Sequence, residues 1–119
     1  MRDPTRGGLA TTLVEIAEAS RVVIRLNEAA IPVRSVVRGA CDLLGLDPLY
    51  VACEGRLIAV VPEDQAVAAL DAMRAHPRGQ QASRIGAVSE GKTGLFLQTR
   101  VGGLRPLIAL EGAQLPRIC

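Results

Sequence analysis

The 119-residue sequence contains few aromatic side chains: one tyrosine, one phenylalanine and no tryptophan. Aromatic rings are the surfaces on which single-stranded nucleic acids stack, so this mode of nucleic-acid binding is excluded. The net charge of +2 is small, and the arginines are spread along the chain without forming a block, so no nucleic-acid partner is predicted. The core must be built from valine, leucine, isoleucine and alanine.

Long apolar runs and paired cysteines are also missing. No stretch approaches the roughly 18 uninterrupted apolar residues of a membrane-spanning helix, so no membrane association is predicted. The three cysteines, Cys41, Cys53 and Cys119, are odd in number and form no CxxC pair. This argues against a disulfide framework and against a structural zinc site, and no metal ligands are predicted. We interpret the cysteines as reduced thiols and predict a cytoplasmic protein.

The pattern of apolar residues predicts alternating helices and strands. Helical spacing predicts three helices, at Gly8–Ala19, Val33–Leu44 and Pro62–Pro77. Their core faces include Val36, Cys41, Leu44, Val67, Leu70 and Met73. Short apolar runs predict a strand at Arg21–Leu26, a hairpin of Leu49–Cys53 and Leu57–Val61, a strand pair of Ala82–Val88 and Gly94–Thr99, and a last apolar stretch at Leu104–Leu110. This order predicts an α+β fold in which helices pack on a mixed sheet.

The end of the sequence carries the first of three chemically distinctive features. The segment Glu111–Pro116 is polar, small and proline-containing, which is typical of a mobile arm, and it leads to Cys119. A thiol on such an arm can enter a pocket, collect a group and leave again. The alternative is a frayed end that finishes in cysteine by chance, and position alone leaves the two interpretations open.

The second feature is the turn Arg2–Gly8, which precedes the first helix. Its two glycines let a backbone approach a ligand closely, and a helix N-terminus favours an anion in front of it. Arg2 and Arg6 can add bidentate donors for phosphate or carboxylate, and Asp3 can orient an arginine or a magnesium-bound phosphate. A plain helix N-terminus capped by Asp3 and Thr5 is the alternative.

The third feature is Glu54 at the tip of the predicted hairpin. A glutamate in that place is usually solvated, but beside an apolar strand it can be partly buried and act as a general base. Its neighbour Cys53 is predicted to be a packing residue of the strand. The only histidine, His76, has no acid or thiol near it in sequence and is a poor catalytic candidate.

Three segments, MRDPTRGGLATTLVEIA, PLYVACEGRLIAVVP and the closing LPRIC, together resemble the C-terminal half of the hydrogenase maturation factor HypE. This family is similar in architecture to aminoimidazole ribonucleotide synthetase and selenophosphate synthetase. The resemblance covers essentially the whole chain. It implies an α/β/α domain with a partly ferredoxin-like layout in residues 1–110 and a mobile tail in residues 111–119. It also implies an N-terminal ATP-binding domain that this sequence lacks.

The resemblance implies a specific chemistry as well. The thiol of Cys119 would accept a carbamoyl group from the carbamoyltransferase HypF, and ATP would drive its dehydration to a thiocyanate. The cyano group would pass to iron on the HypC–HypD scaffold and become a cyanide ligand of a [NiFe] hydrogenase. Glu54 would be the base, and Asp3, Thr5 and Arg6 would face the nucleotide cleft. The missing domain would hold most of the ATP and magnesium and form most of a homodimer, so the isolated chain is predicted to be inactive.

Two other classes of function remain as alternatives. One is a non-catalytic, ferredoxin-like module that binds a ligand or dimerises and carries an accidental terminal cysteine. The other is a thiol redox protein, which the lack of a CxxC pair disfavours. Carbamoylation of Cys119 would distinguish the maturation enzyme from both.

Overall fold

The computed structural model of the protein describes residues 1–110, and its first helix is α1 (Gly8–Ser20). Gly7 and Gly8 lead into this helix with backbone φ angles of 67° and 68°, a conformation that residues with a Cβ adopt only at an energetic cost. Two consecutive glycines therefore allow the chain to turn sharply into the helix. The helix predicted at Gly8–Ala19 is confirmed.

Within residues 1–110, four strands form one sheet: β1 (Val23–Asn27), β2 (Gly86–Ser89), β3 (Gly94–Gln98) and β4 (Leu104–Leu107). Their order across the sheet is β2-β1-β3-β4. Strand β1 runs parallel to β3, whereas β2 pairs antiparallel with β1 and β4 pairs antiparallel with β3. The sheet is therefore mixed, and α1 packs against it. The predicted α+β class, with helices packed on a mixed sheet, is confirmed.

The core lies between α1 and one face of the two central strands. The register pairs Ile24 with Leu95 and Leu26 with Leu97, so these four side chains point to the same face of the sheet. All four are buried, and Leu95 and Leu97 are the largest fully buried side chains among the described residues. Complete burial of such a side chain contributes roughly 1.5–3 kcal/mol, so this cluster is a main source of stability.

Truncation of Leu97 is expected to destabilise the fold by about 2–5 kcal/mol, because the side chain is 1% exposed and its loss leaves a cavity. Urea unfolding followed by circular dichroism would measure the change. Leu43→Ala is the matched control, since Leu43 is 87% exposed. Equal unfolding midpoints for Leu97→Ala and Leu43→Ala would contradict this account of the core.

The second helix, α2 (Ser35–Leu44), is amphipathic, but most of its apolar face is not buried. It ends at Gly45, whose φ of 70° is the left-handed conformation that glycine favours at a helix end. Cys41 is buried, as predicted, whereas Val36 and Leu44 are exposed and were wrongly placed in the core. The helix contacts the turn at Pro48–Tyr50 that follows it, and Cys41 is its only buried residue.

The third helix, α3 (Ala66–Ala75), follows a short 3-10 turn and buries no residue fully. Leu70 and Met73 line a cavity of about 350 Å³ that separates α3 from the sheet. Val67 lies to the side of that face and is 73% exposed, so its predicted place in the core is wrong. None of the helices in residues 1–110 has the length and apolar content needed to cross a membrane.

The predicted hairpin of Leu49–Cys53 and Leu57–Val61 is wrong. The first arm begins in a 3-10 turn, Pro48–Tyr50, and the second arm forms no strand. Its one bridge, at Ile58, pairs with Arg2 at the start of the chain. Apolar content and a glycine at the tip favoured a hairpin, but they did not reveal that Ile58 pairs with Arg2.

Both strands of the second predicted pair are present, but they do not pair with each other. The segments Ala82–Val88 and Gly94–Thr99 contain β2 and β3, but β1 lies between them in the sheet. Strand β1 carries the buried Ile24 and Leu26, and a central position covers both of its edges with partner strands. The last apolar stretch contains β4, which pairs with the other edge of β3.

Candidate functional site

The segment around Glu54 lies alongside the first residues of the chain. Arg2 and Ile58 exchange two backbone hydrogen bonds, of 2.9 and 2.7 Å, and the Cys53 N–H donates to the carbonyl of Pro4 at 2.9 Å. These bonds attach both ends of residues 53–58 to residues 2–4. Two of the three features found in the sequence are therefore brought together, although they are about fifty residues apart in the chain.

Glu54 itself is exposed at the bend between these two attachments. Of the two interpretations left open by the sequence, the solvated glutamate is the one observed, because no strand forms here to bury the side chain. No ion pair within residues 1–110 engages its carboxylate. Gly55 follows with a φ of 69°, so the chain turns tightly directly after the carboxylate. Glu54 is therefore free to contact a group from outside the described residues.

In the turn before α1, one charged side chain forms an ion pair with another part of the described chain and two others do not. Arg2 lies 3.1 Å from Glu15 of α1 in a half-exposed ion pair, so it is already committed to an intramolecular contact. Asp3 and Arg6 are exposed and take part in no ion pair in the part of the chain that the structure describes. Thr5 is half-buried. Arg6 is the guanidinium in this turn that remains available for a phosphate.

The helix N-terminus is not capped in the way that the alternative interpretation required. The N-cap position is Gly7, and within residues 1–110 no side-chain hydrogen bond caps the first turn of α1. Asp3 and Thr5 are therefore not caps, and that alternative is wrong. The first N–H groups of a helix carry a partial positive charge. Their polarity favours an anion at this end of α1.

The two glycines approach protein atoms closely, and the ligand contact expected from the sequence is not needed to explain them. A Cβ on Gly8 would lie 2.5 Å from the carbonyl oxygen of Leu49 and 2.7 Å from that of Val51. A Cβ on Gly7 would lie 2.5 Å from Oγ1 of Thr11. The hydroxyl of Thr11 is buried and has no hydrogen-bond partner among the described residues. Gly8 thus lets α1 start directly against the segment that leads to Glu54.

Cys53 is half-buried and lies in irregular chain directly before the bend at Glu54, rather than in the predicted strand. Its thiol donates to the carbonyl oxygen of Val51 at 3.4 Å, while its N–H is bonded to Pro4. Both the thiol and the backbone N–H of Cys53 are therefore engaged in hydrogen bonds to backbone carbonyls. The hydroxyl of Tyr50 donates a hydrogen bond of 2.7 Å to the carbonyl of Ile108. This bond joins the end of the described chain to the segment that precedes Cys53.

Several predicted or charged groups lie elsewhere. Cys119 and the whole predicted tail, residues 111–119, are outside the described residues. His76 ends α3, and its Nδ1 accepts a hydrogen bond from the Arg78 N–H. Within residues 1–110, no group of three or more histidine, cysteine, aspartate or glutamate side chains could hold a metal ion.

The shortest ion pair of the described chain joins the turn before α3 to the segment that precedes β2. Arg84 donates to both carboxylate oxygens of Glu63, at 2.7 and 2.6 Å. Hydrogen bonding to Arg84 lowers the pKa of the Glu63 carboxyl, and the pKa of Arg84 is raised in turn. The contribution of the pair is therefore present above the ordinary pKa of a glutamate and is lost as the pH falls through the lowered pKa. Both groups are exposed, so the contribution is small.

The backbone bonds from Arg2 to Ile58 and from Pro4 to Cys53 were missed from the sequence. Such bonds depend on main-chain groups, which every residue carries, and their partners are far apart in sequence. The opposite charges of Arg2 and Glu15 were the only available hint of a local contact.

Comparison with known proteins gives consistent matches. The profile of the family described as "AIR synthase related protein, C-terminal domain" matches residues 1–98. Carbamoyl dehydratase HypE of Cupriavidus necator is 57% identical over 120 residues, which cover 100% of this chain and 34% of that protein. The chain thus spans about a third of the length of the curated relatives it matches.

Two solved structures are similar in fold as well as in sequence. One is a crystal structure of hydrogenase maturation protein HypE in complex with ATP, with a TM-score of 0.92 and 51% identity, covering 99% of this chain and 37% of that chain. The other is a crystal structure of a HypE–HypF complex, with a TM-score of 0.86 and 39% identity, covering 92% of this chain and 35% of that chain.

Proposed function

The chain belongs to the AIR synthase related C-terminal domain family and to its HypE branch, and we propose that it forms part of a carbamoyl dehydratase of [NiFe]-hydrogenase maturation. The observation that carries the proposal is the 57% identity to a carbamoyl dehydratase HypE across the full length of this chain. In the proposed reaction, a carbamoyl group on the thiol of Cys119 loses water and becomes a thiocyanate. The cyano carbon is then the source of a cyanide ligand.

The proposed chemistry needs a leaving group and a base. ATP supplies the phosphoryl group that turns the carbamoyl oxygen into a leaving group. The carbamoyl nitrogen loses both of its protons, the carbon–oxygen bond breaks, and the products are the S-cyano group, ADP and phosphate. We assign removal of a nitrogen proton to Glu54, because its carboxylate is exposed and unpaired within residues 1–110.

The turn before α1 is proposed to handle the phosphate groups. Arg6 fits a phosphate, since its guanidinium is exposed and makes no ion pair in the described chain. Asp3 and Thr5 lie in the same turn and are proposed to position Arg6 or the incoming tail. Magnesium normally binds the phosphates of a nucleoside triphosphate. Since residues 1–110 contain no metal-binding group of side chains, we propose that the rest of the longer protein holds it.

The proposal includes a division of the chain and a set of partners. Residues 1–110 form the folded domain, and residues 111–119 carry the thiol of Cys119, which visits the carbamoyl donor, the nucleotide cleft and the acceptor. Likeness to a chain of a HypE–HypF complex supports HypF as the enzyme that transfers the carbamoyl group to Cys119. The HypC–HypD scaffold as the acceptor, a homodimer of the longer protein and a cytoplasmic location are further parts of the proposal.

Intact-mass measurement of the full-length protein tests this function. The protein is incubated with HypF, carbamoyl phosphate and ATP, and the expected result is a gain of one carbamoyl group followed by the loss of one water. Omitting HypF is the control for direct chemical carbamoylation. An unchanged mass in the complete mixture would favour a ligand-binding or dimerisation module and would overturn the proposal.

A further inference from the structure

Gly8 occupies a position that no other residue type fits. A Cβ built on it meets the carbonyl oxygens of Leu49 and Val51 at 2.5 and 2.7 Å, and the carbonyl carbon of Tyr50 at 2.7 Å. Contacts between non-bonded heavy atoms normally lie at about 3.5–4.0 Å. All three atoms belong to the backbone, so no side-chain rotation can relieve the overlap. A side chain at Gly8 would push residues 49–51 away from α1 by roughly 1 Å.

Other glycines with similar backbone angles do not share this constraint. Gly7 has a φ of 67°, but the three atoms nearest to a Cβ on it all belong to Thr11 of α1, so a side chain at Gly7 would not meet residues 49–51 in this way. Gly45 has a φ of 70° at the end of α2, and a Cβ there meets nothing within 4 Å. Gly45→Ala therefore reproduces the backbone strain of Gly8→Ala without the overlap, which makes it a matched control.

The contact at Gly8 is linked to Glu54 by a short and fixed path. Val51 is three residues before Glu54, and its carbonyl accepts the thiol hydrogen bond of Cys53. The next attachment, from the Cys53 N–H to Pro4, holds the same segment against the turn that carries Arg6. Residues 49–53 are thus held on one side by α1 and on the other by residues 2–4. A shift of this segment must displace Glu54 relative to Arg6.

We infer that Gly8 is a positioning residue, whose missing side chain sets the place of Glu54 relative to the turn before α1. This inference rests on the proposed function, in which Glu54 is the base of the dehydration and Arg6 binds phosphate. A misplacement of about 1 Å can lower a rate by up to about 100-fold. Gly8→Ala is expected to slow the conversion of carbamoylated Cys119 by about 10- to 100-fold, with little effect on carbamoylation by HypF.

The experiment measures loading and conversion separately in the full-length protein. Loading is followed by intact mass with HypF and carbamoyl phosphate, and conversion by the loss of water in a single turnover after ATP is added. Gly45→Ala is expected to match the wild type in both. Conversion by Gly8→Ala at the wild-type rate, or equal defects in Gly8→Ala and Gly45→Ala, overturns the inference.

A double-mutant cycle tests whether Gly8 acts through Glu54. If it does, Gly8→Ala slows conversion in the wild type but adds little in a Glu54→Gln background, because the displaced group is already gone. A purely structural role predicts that the two defects multiply. Fully multiplicative defects therefore overturn the inference, even though loading of Cys119 and the proposed function would stand.

Loss of HypF-dependent loading would reveal that Gly8→Ala does not fold. In that case a second variant tests the positioning role of Gly8. Insertion of one glycine between Val51 and Ala52 leaves Gly8 unchanged but uncouples its contact from Glu54. The insertion is expected to slow conversion over the same range while loading is retained. Conversion at the wild-type rate in this variant contradicts the inference. Absence of loading in the wild type itself would instead count against the proposed function.

Discussion

Replacement of Cys119 by serine is expected to abolish carbamoylation of the full-length protein and, with it, all formation of thiocyanate. Thiolates are the reactive form of cysteine, and a thiol with an ordinary pKa of about 8.5 supplies some thiolate near neutral pH, whereas a serine hydroxyl supplies essentially none. Serine is close to cysteine in size, so entry of the tail into a cleft is preserved and only the nucleophile is lost. Intact mass after incubation with HypF and carbamoyl phosphate is the measurement.

The two other cysteines provide the controls for this prediction. Cys53→Ser retains a donor for the carbonyl of Val51, and Cys41 is buried in α2, away from solvent. Both variants, Cys53→Ser and Cys41→Ser, are expected to load one carbamoyl group as the wild type does. A Cys119→Ser protein that still gains the carbamoyl mass would show that another residue is the acceptor.

The parts of the fold that could be predicted from the sequence depend on local patterns. The helix α1 shows its apolar spacing within thirteen residues, and Gly45 marks the end of α2. Strands β2 and β3 were also identified correctly, but their neighbours were not. Adjacency in the chain favoured a pair, whereas the burial of Ile24 and Leu26 places β1 between them. Pairing is decided by the whole sheet, and one strand's sequence does not contain that information.

The candidate site shows the same division. Residue type and the resemblance to HypE indicated Glu54 and Arg6 separately, but not the main-chain bonds that join their segments. The apolar arms on either side of Glu54 suggested a hairpin because they could pair with each other. In the fold, Cys53 and Ile58 instead bond to Pro4 and Arg2, whose backbone groups leave no trace in the sequence. The sequence therefore left the burial of Glu54 open, and in the fold its side chain is exposed.

The exposure of Glu54 leads to the second large expected effect. Glu54→Gln keeps the size and hydrogen-bonding capacity of the side chain but cannot accept a proton. A positioned general base contributes about 10²- to 10⁴-fold to a rate, so conversion of carbamoylated Cys119 is expected to fall by that factor, with loading unchanged. Since the side chain is exposed and makes no ion pair in the described residues, stability should change by less than about 0.5 kcal/mol.

A single-turnover measurement after loading separates this effect from carbamoylation. Glu90→Gln is the matched control, because Glu90 is also an exposed glutamate next to a glycine, in the bend between β2 and β3. It is expected to convert at the wild-type rate. If Glu54→Gln converts as fast as Glu90→Gln, Glu54 is not the base. The proton acceptor would then have to come from outside residues 1–110 or from another carboxylate, such as Asp3, whose neighbours Arg2 and Pro4 are bonded to the segment that carries Glu54.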